Sequence, residues 1–221
     1  MADAAAHVSR ETYPQIAGAL ALDLVNTVSW RLSAERRIEH LVDYGDVLRW
    51  AAQVGLIDRE TIRALERLAA ADPQGATVEH RGILDLREAL YDAAYDGAPT
   101  EPVVREHADA VAAGRLERDG DGDGWAWRFP VDLALPRRRI ALAAVDLLLR
   151  DDLDRLGQCS DAECGWVFLD TSPRHNRRWC VASDCGNRNR VREHYARSRK
   201  TDAAGERAAG TPEEPAVAAT R

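Results

Sequence analysis

Cys159-Ser160-Asp161-Ala162-Glu163-Cys164-Gly165 and Cys180-Val181-Ala182-Ser183-Asp184-Cys185-Gly186 are two copies of one pattern, Cys-x4-Cys-Gly, and together they hold all four cysteines of the chain. Fifteen residues lie between Cys164 and Cys180. Each short loop can bend back so that both its sulfurs reach one ion, and a tetrahedral Zn²⁺ takes four thiolates at about 2.3 Å. The glycine behind each second cysteine allows a positive φ, which turns backbone amides toward the sulfurs. Four sulfurs close the coordination shell, so the expected ion, a single Zn²⁺ on Cys159, Cys164, Cys180 and Cys185, is structural and leaves no open position for water. The competing reading is a pair of disulfides. Those belong to small secreted chains, whereas this one has 221 residues and opens Met-Ala-Asp-Ala, without the basic and apolar regions of a secretory leader. A cytoplasmic protein is expected.

Outward from the first pair, Trp166-Val167-Phe168-Leu169 is an aromatic and β-branched run that reads as a strand packing the small core of a finger, with Trp179 joining it. Outward from the second pair, Asn187 to Lys200 contains no helix breaker, so a helix is expected to start at the metal. Charge is uneven along the chain. Residues 159–200 carry nine Lys/Arg against five Asp/Glu, a net of +4, which leaves −11 for the rest of a chain whose net charge is −7. The cations are Arg174, Arg177, Arg178, Arg188, Arg190, Arg192, Arg197, Arg199 and Lys200. The arginine fork suits bidentate contacts to phosphate or guanine. Four zinc-bound thiolates leave about two negative charges for arginines to balance, and nine cations exceed that need. The surplus is the electrostatic footprint of a nucleic-acid module. On the expected helix Arg188, Arg192, Tyr195 and Arg199 share one stripe, while Arg190 and Arg197 lie on other faces.

These residues resemble a known family. Cys185-Gly186-Asn187-Arg188 is similar to the signature of the CGNR zinc finger, and Cys164-Gly165-Trp166-Val167-Phe168-Leu169-Asp170-Thr171-Ser172 with Arg178-Trp179-Cys180 resembles the rest of that module. Ser183-Asp184 is more polar than the family's usual residues at that point. Leu20-Ala21-Leu22-Asp23-Leu24-Val25-Asn26-Thr27, followed by Tyr44-Gly45-Asp46-Val47-Leu48-Arg49-Trp50-Ala51, resembles the ABATE domain that precedes this finger. The resemblance implies a bacterial, stress-induced transcription regulator whose zinc-dependent end binds DNA.

Ahead of the finger the pattern is helical. Tyr44, Val47, Leu48, Ala51 and Val54 recur at helical spacing up to Gly55, and Asp58 caps a second helix through Ile62, Leu65 and Leu68 that ends before Asp72-Pro73. A third runs from a Thr77 cap to Gly97, and a fourth from Pro102 to Ala113. Trp125, Trp127 and Phe129 alternate after the turn Asp119-Gly120-Asp121-Gly122-Asp123-Gly124, which predicts a hairpin. That turn copies half a calcium loop. Pro130 stands where the bidentate glutamate belongs, so a solvated hairpin tip is expected. A last helix begins near Pro136 and buries Ile140 to Leu149, with Arg137, Arg138 and Arg139 in its first turn either extending a DNA surface or facing solvent. The expected class is therefore α+β: a mainly helical N-terminal domain with a small β-hairpin over 1–155, a small four-cysteine zinc finger of ribbon or knuckle type ending in a helix over 156–200, and a disordered tail over 201–221, where apolar content is too low to order the chain.

With 45% hydrophobic residues and six tryptophans, the chain can build a sizeable core. Its longest apolar run is interrupted by Asp146 and falls short of the roughly 20 residues that span a bilayer, so no membrane partner is expected. No phosphate loop, dinucleotide fingerprint, nucleophile elbow or His-Glu-x-x-His is present, and the six histidines are scattered, so no enzyme is expected. Asp23, Asn26, Trp30 and Arg31 are candidates to line a small-molecule effector pocket, the alternative being that Asp23 and Asn26 cap and tie local backbone. DNA is the expected partner, with a homodimer doubling the contacts of one finger. The other reading is a zinc-stabilised surface for a protein or RNA partner.

Overall fold

The computed structural model describes residues 12–120 and 124–209, with side chains to Arg199. It divides into two compact units, Met1–Cys180 and Val181–Arg221.

In the first unit, a short buried helix α1 (Leu20–Val25) leads into a two-stranded ribbon, β1 (Val28–Ser29) against β2 (Ile38–Glu39), antiparallel with Val28 opposite Glu39. Helix α2 (Tyr44–Gln53) is capped by the Asp43 carboxylate on the Asp46 amide and stops at Gly55, whose φ of +71° only glycine adopts without strain. Helix α3 (Arg59–Ala71) is capped by Asp58 as expected. Helix α4 (Pro73–Tyr95) starts earlier than the sequence reading has it. Asp72 ends α3 and also caps α4, its carboxylate accepting from the Gly75 amide at 2.8 Å with Pro73 in the first turn. Thr77 sits inside the helix, its hydroxyl donating to the Pro73 carbonyl at 2.9 Å. Helix α5 (Glu101–Ala113), the hairpin of β3 (Arg115–Arg118) and β4 (Trp125–Arg128), and α6 (Leu135–Leu148) follow as read. The hairpin tip, 121–123, lies outside the described residues.

Helix α6 packs against α1, α2, α4 and α5 around a core built on Leu22, Trp50, Leu65, Ile83, Leu90 and Ile140. The arginines of its first turn serve the fold. Arg137 pairs with Glu79 at 2.8 Å and Glu106 at 2.6 Å, Arg138 with Asp132, and Arg139 donates to the Leu56 carbonyl.

The run after the first cysteine pair is strand β6 (Val167–Leu169), which pairs antiparallel with β5 (Leu156–Gln158). Its partners correct the expected packing. Val167 and Leu169 belong to the main helical core rather than to a separate finger core. The Asn26 amide group brackets Val167, accepting from its N–H at 2.9 Å and donating to its carbonyl at 2.8 Å, as a neighbouring strand would. Trp166 donates through Nε1 to the Val28 carbonyl at 2.7 Å, and the Leu169 amide to the Ala17 carbonyl at 2.8 Å.

In the second unit, a single π-helical turn (Ala182–Gly186) runs into helix α7 (Asn187–Ala209). The helix extends into the stretch expected to be a disordered tail, and 210–221 lie outside the described residues. Among the described residues no helix is long and apolar enough to cross a membrane.

Candidate metal centre and its basic helix

The β5–β6 hairpin builds the first cysteine loop. Gln158 pairs with Val167, and one residue further out the Cys159 amide donates to the Trp166 carbonyl at 2.8 Å, so the strands deliver both cysteines to one end. Between them, the Cys164 amide donates to the Asp161 carbonyl at 3.0 Å, and the wholly buried Asp161 side chain accepts from the Glu163 amide at 3.2 Å. Gly165 has φ +70°, and a Cβ there would stand 2.8 Å from Arg31 Cβ. The loop is docked on the segment after β1, where the Arg31 and Leu32 amides donate to the Cys164 and Glu163 carbonyls.

Cys180 arrives through a loop organised by Asp170, whose carboxylate accepts from the Ser172 and Arg177 amides at 2.9 and 2.8 Å. Hydrogen bonding from the Ser172 side chain first, and then from the Arg177 and Ser172 amides, holds the Asp170 carboxyl below the usual range. The role of Asp170 is absent from the sequence reading, although Asp-x-Ser is a turn signature that could have revealed it. The Ser160 amide donates to the Arg178 carbonyl at 2.8 Å, pinning this loop to the first.

All four cysteines are buried and none is in a disulfide. Their ligand atoms lie within 4.8 Å of one another. Sulfurs placed at about 2.3 Å on a tetrahedral ion stand about 3.8 Å apart; Cys164 and Cys180 Sγ are 3.7 Å apart. That is far beyond the roughly 2.05 Å of a disulfide. The donor set therefore fits one structural zinc ion, and its thiolate chemistry is prepared by the chain itself. Donation from Cys164 and Cys180 holds the Cys159 thiol well below its ordinary range, helped by the Cys180 and Asp161 amides, while the same shared bonds and burial push Cys164 and Cys180 up. Because the thiols must give up protons to ligate a cation, metal binding here is coupled to pH.

The expected nucleic-acid residues are placed unevenly. Arg174, Arg178, Arg192 and Arg199 are exposed, Arg178 lying over the Trp179 ring at 5.1 Å, and the Lys200 side chain is outside the described residues. Arg177 is turned inward. It donates to the Trp179, Ile16 and Cys180 carbonyls at 3.1, 3.1 and 2.7 Å and covers the Phe168 ring at 4.0 Å. Arg190 donates to the Gly186 and Ala182 carbonyls at 3.2 and 3.3 Å, and Arg188 reaches Cys185 Sγ at 2.9 Å and Asp184 at 3.1 Å.

Of the residues read as candidates for an effector pocket, Asp23, Asn26 and Arg31 hydrogen-bond backbone. Asp23 accepts from the Ile16 and Ala17 amides at 3.0 Å each, and Asn26 brackets Val167. Arg31 pairs with Glu88, donates to the Val25 carbonyl at 2.8 Å and lies over Tyr91 at 4.4 Å; Trp30 is covered by Arg36 at 3.6 Å. Beside them a network missed by the sequence reading joins buried Arg87 to Glu39, at 2.6 and 2.8 Å, and to Glu88 and Thr27. Periodicity marks Arg87 only as a polar residue in an apolar helix and gives no sign of its partner 48 positions away.

Comparison with known families bears on both parts. Residues 155–198 match the CGNR zinc finger, and residues 18–151 match ABATE, described as a putative stress-induced transcription regulator. No curated protein matches the chain. Neither family is enzymatic. Since the larger match spans more than half of the 221 residues, the chain belongs to the ABATE family and carries a CGNR zinc finger behind that domain.

Proposed function

We propose that this protein is a ligand-responsive bacterial transcription regulator that binds duplex DNA through its C-terminal finger. The observation that carries the reading is the exposed stripe of Arg192 and Arg199 on α7, with exposed Arg197 on another face, on a helix that starts directly after the Cys185-Gly186 knuckle. Such a stripe suits a phosphate backbone, with Arg174 and Arg178 adding cations from the loop before Cys180. The organisation that goes with it is a sensing domain over 1–155 and a DNA-binding finger over 156–200, with dimerisation doubling the contacts. For the effector, a groove of about 550 Å³ lined by Leu68, Val78, Val131 and Leu133 with Asp72 and Asp132 has the size of a small-molecule site.

The test is fluorescence anisotropy of the zinc-loaded protein on duplex DNA across a salt series. Affinity is expected to fall steeply with salt, and Arg192→Ala is expected to reduce the slope of log affinity against log salt by about 1. Binding that is absent or indifferent to salt overturns the reading. A second reading, a protein- or RNA-binding module, is favoured by the bonds that Arg177, Arg188 and Arg190 already make to carbonyls and to Cys185 Sγ, which engage part of the cationic set. Capture of a stable partner with no duplex binding at low ionic strength supports it.

A further inference from the structure

Arg188 closes the Cys-Gly-Asn-Arg motif, and its sequence position alone places it on the basic stripe of α7. Its side chain does something else. Nη2 lies 2.9 Å from Cys185 Sγ while Nη1 lies 3.1 Å from Asp184 Oδ1, so one guanidinium spans a metal-ligating sulfur and a carboxylate on the same turn. The side chain is 26% exposed, against 64% for Asp184.

We propose that Arg188 is a positioning residue of the metal centre: it donates to the Cys185 thiolate, offsets the charge of the tetrathiolate site and is itself aimed by Asp184, rather than contacting phosphate. The inference rests on the zinc site and not on DNA binding. Three physical arguments support it. Four thiolates around one divalent ion carry a net charge of about −2, and a donor to a coordinated sulfur stabilises that excess where it is greatest. The helix supplies the second argument. Arg188 sits in the first turn of α7, where a cation opposes the helix dipole, so its placement there needs a compensating anion, and the Cys185 sulfur is that anion. The third is the shape of the group. A planar fork reaches sulfur and carboxylate at once, which the compact ammonium of lysine does not. Asp184 thereby acquires a purpose: it fixes the rotamer that points Nη2 at the sulfur. Arg190 behaves in kind, tying off the Gly186 and Ala182 carbonyls of the π-turn that presents Cys185. The first turn of α7 therefore belongs to the metal centre, and the surface for a partner begins at Arg192.

The experiment compares the full-length protein with its Arg188→Ala, Arg188→Lys and Arg192→Ala variants. Two readouts need no DNA: zinc affinity by competition with a colorimetric chelator, and the sulfur-to-metal charge-transfer band after Co²⁺ replaces zinc. Arg188→Ala is expected to lose about 10–100-fold in zinc affinity, as outer-shell partners of metal ligands do. Its cobalt band is expected to move to lower energy, because a thiolate without that donor is more electron-rich. Arg188→Lys keeps the charge but not the fork and falls between, which preserves the test if the alanine variant does not fold. Arg192→Ala leaves both readouts at wild-type values. Zinc affinity within twofold of wild type and an unmoved band, in either Arg188 variant, overturns the proposal. Failure of the DNA reading shows instead in the salt series of the wild-type protein, with the zinc readouts unaffected.

Discussion

At the residue scale, Asp23 and Asn26 show how two polar side chains in an apolar helix can be structural. Asn26 is 3% exposed and supplies both hydrogen bonds of an absent strand to Val167. Its replacement by alanine strands a buried N–H and a buried carbonyl, each costing about 1–3 kcal/mol. Asn26→Ala is therefore expected to lose about 2–5 kcal/mol in urea denaturation of the zinc-loaded protein, and a loss below about 1 kcal/mol would show that water replaces the amide. Asp23 adds a pH dependence. Burial raises its carboxyl above the ordinary range and outweighs the bonds from the Ala17 and Ile16 amides, which lower it. The folded state thus holds this proton more tightly than the unfolded chain, so the group's contribution to stability is full below the unfolded value and is lost as pH rises through the folded one. Asp23→Asn keeps an oxygen for both amides and does not titrate. Wild type should gain on Asp23→Asn as pH falls from about 7 toward about 4, in paired melts; a constant difference, or the opposite slope, rules this out.

At the element scale, boundaries follow local chemistry, and the one misread boundary shows why. Asp72-Pro73 has the composition of a helix end and of a helix start, and it is both: the Asp72 N–H bonds back to Leu68 while its carboxylate caps Gly75. Reading it only as a stop pushes the next start to the nearest hydroxyl, Thr77, which the structure places a turn inside α4. The two roles separate on mutation. Asp72→Ala is expected to cost about 1 kcal/mol as a lost cap, equivalent to about 2–4 °C in melting temperature for a protein of this size. Thr77→Ala should stay within about 0.5 kcal/mol, since its hydroxyl bonds a carbonyl within the same helix. Equal effects would return the cap to Thr77. Helices, hairpin and cysteine ligands were legible because each is written in periodicity or spacing confined to a short window. The Arg87 network, the Asn26–Val167 bracket and the inward turn of Arg177 were not, because each joins residues from 48 to 161 positions apart, and composition carries no trace of that pairing.

At the scale of the whole molecule, the two family matches abut between residues 151 and 155, yet the fold does not part there. Strands β5 and β6, which carry the first cysteine loop, are built into the helical core: Val167 and Leu169 are 1% exposed within it, Trp166 bonds the Val28 carbonyl, and the Leu169 amide bonds that of Ala17. Removing everything after residue 155 would delete both core side chains and uncover the residues they pack on, strand the Asn26 amide and the Val28 carbonyl, and withdraw the partners of the Arg31 and Leu32 amides. Burial of a Val or Leu side chain contributes about 1.5–3 kcal/mol, and each stranded buried group costs about 1–3 kcal/mol. The sum is comparable to the roughly 5–15 kcal/mol that keeps a domain folded. A fragment ending at residue 155 is therefore expected to retain helical circular dichroism but to melt without a cooperative transition and to bind a hydrophobic dye. A cooperative melt within a few degrees of the full-length protein would show that the helices close a core of their own, and that the finger's first strand pair is an addition to it.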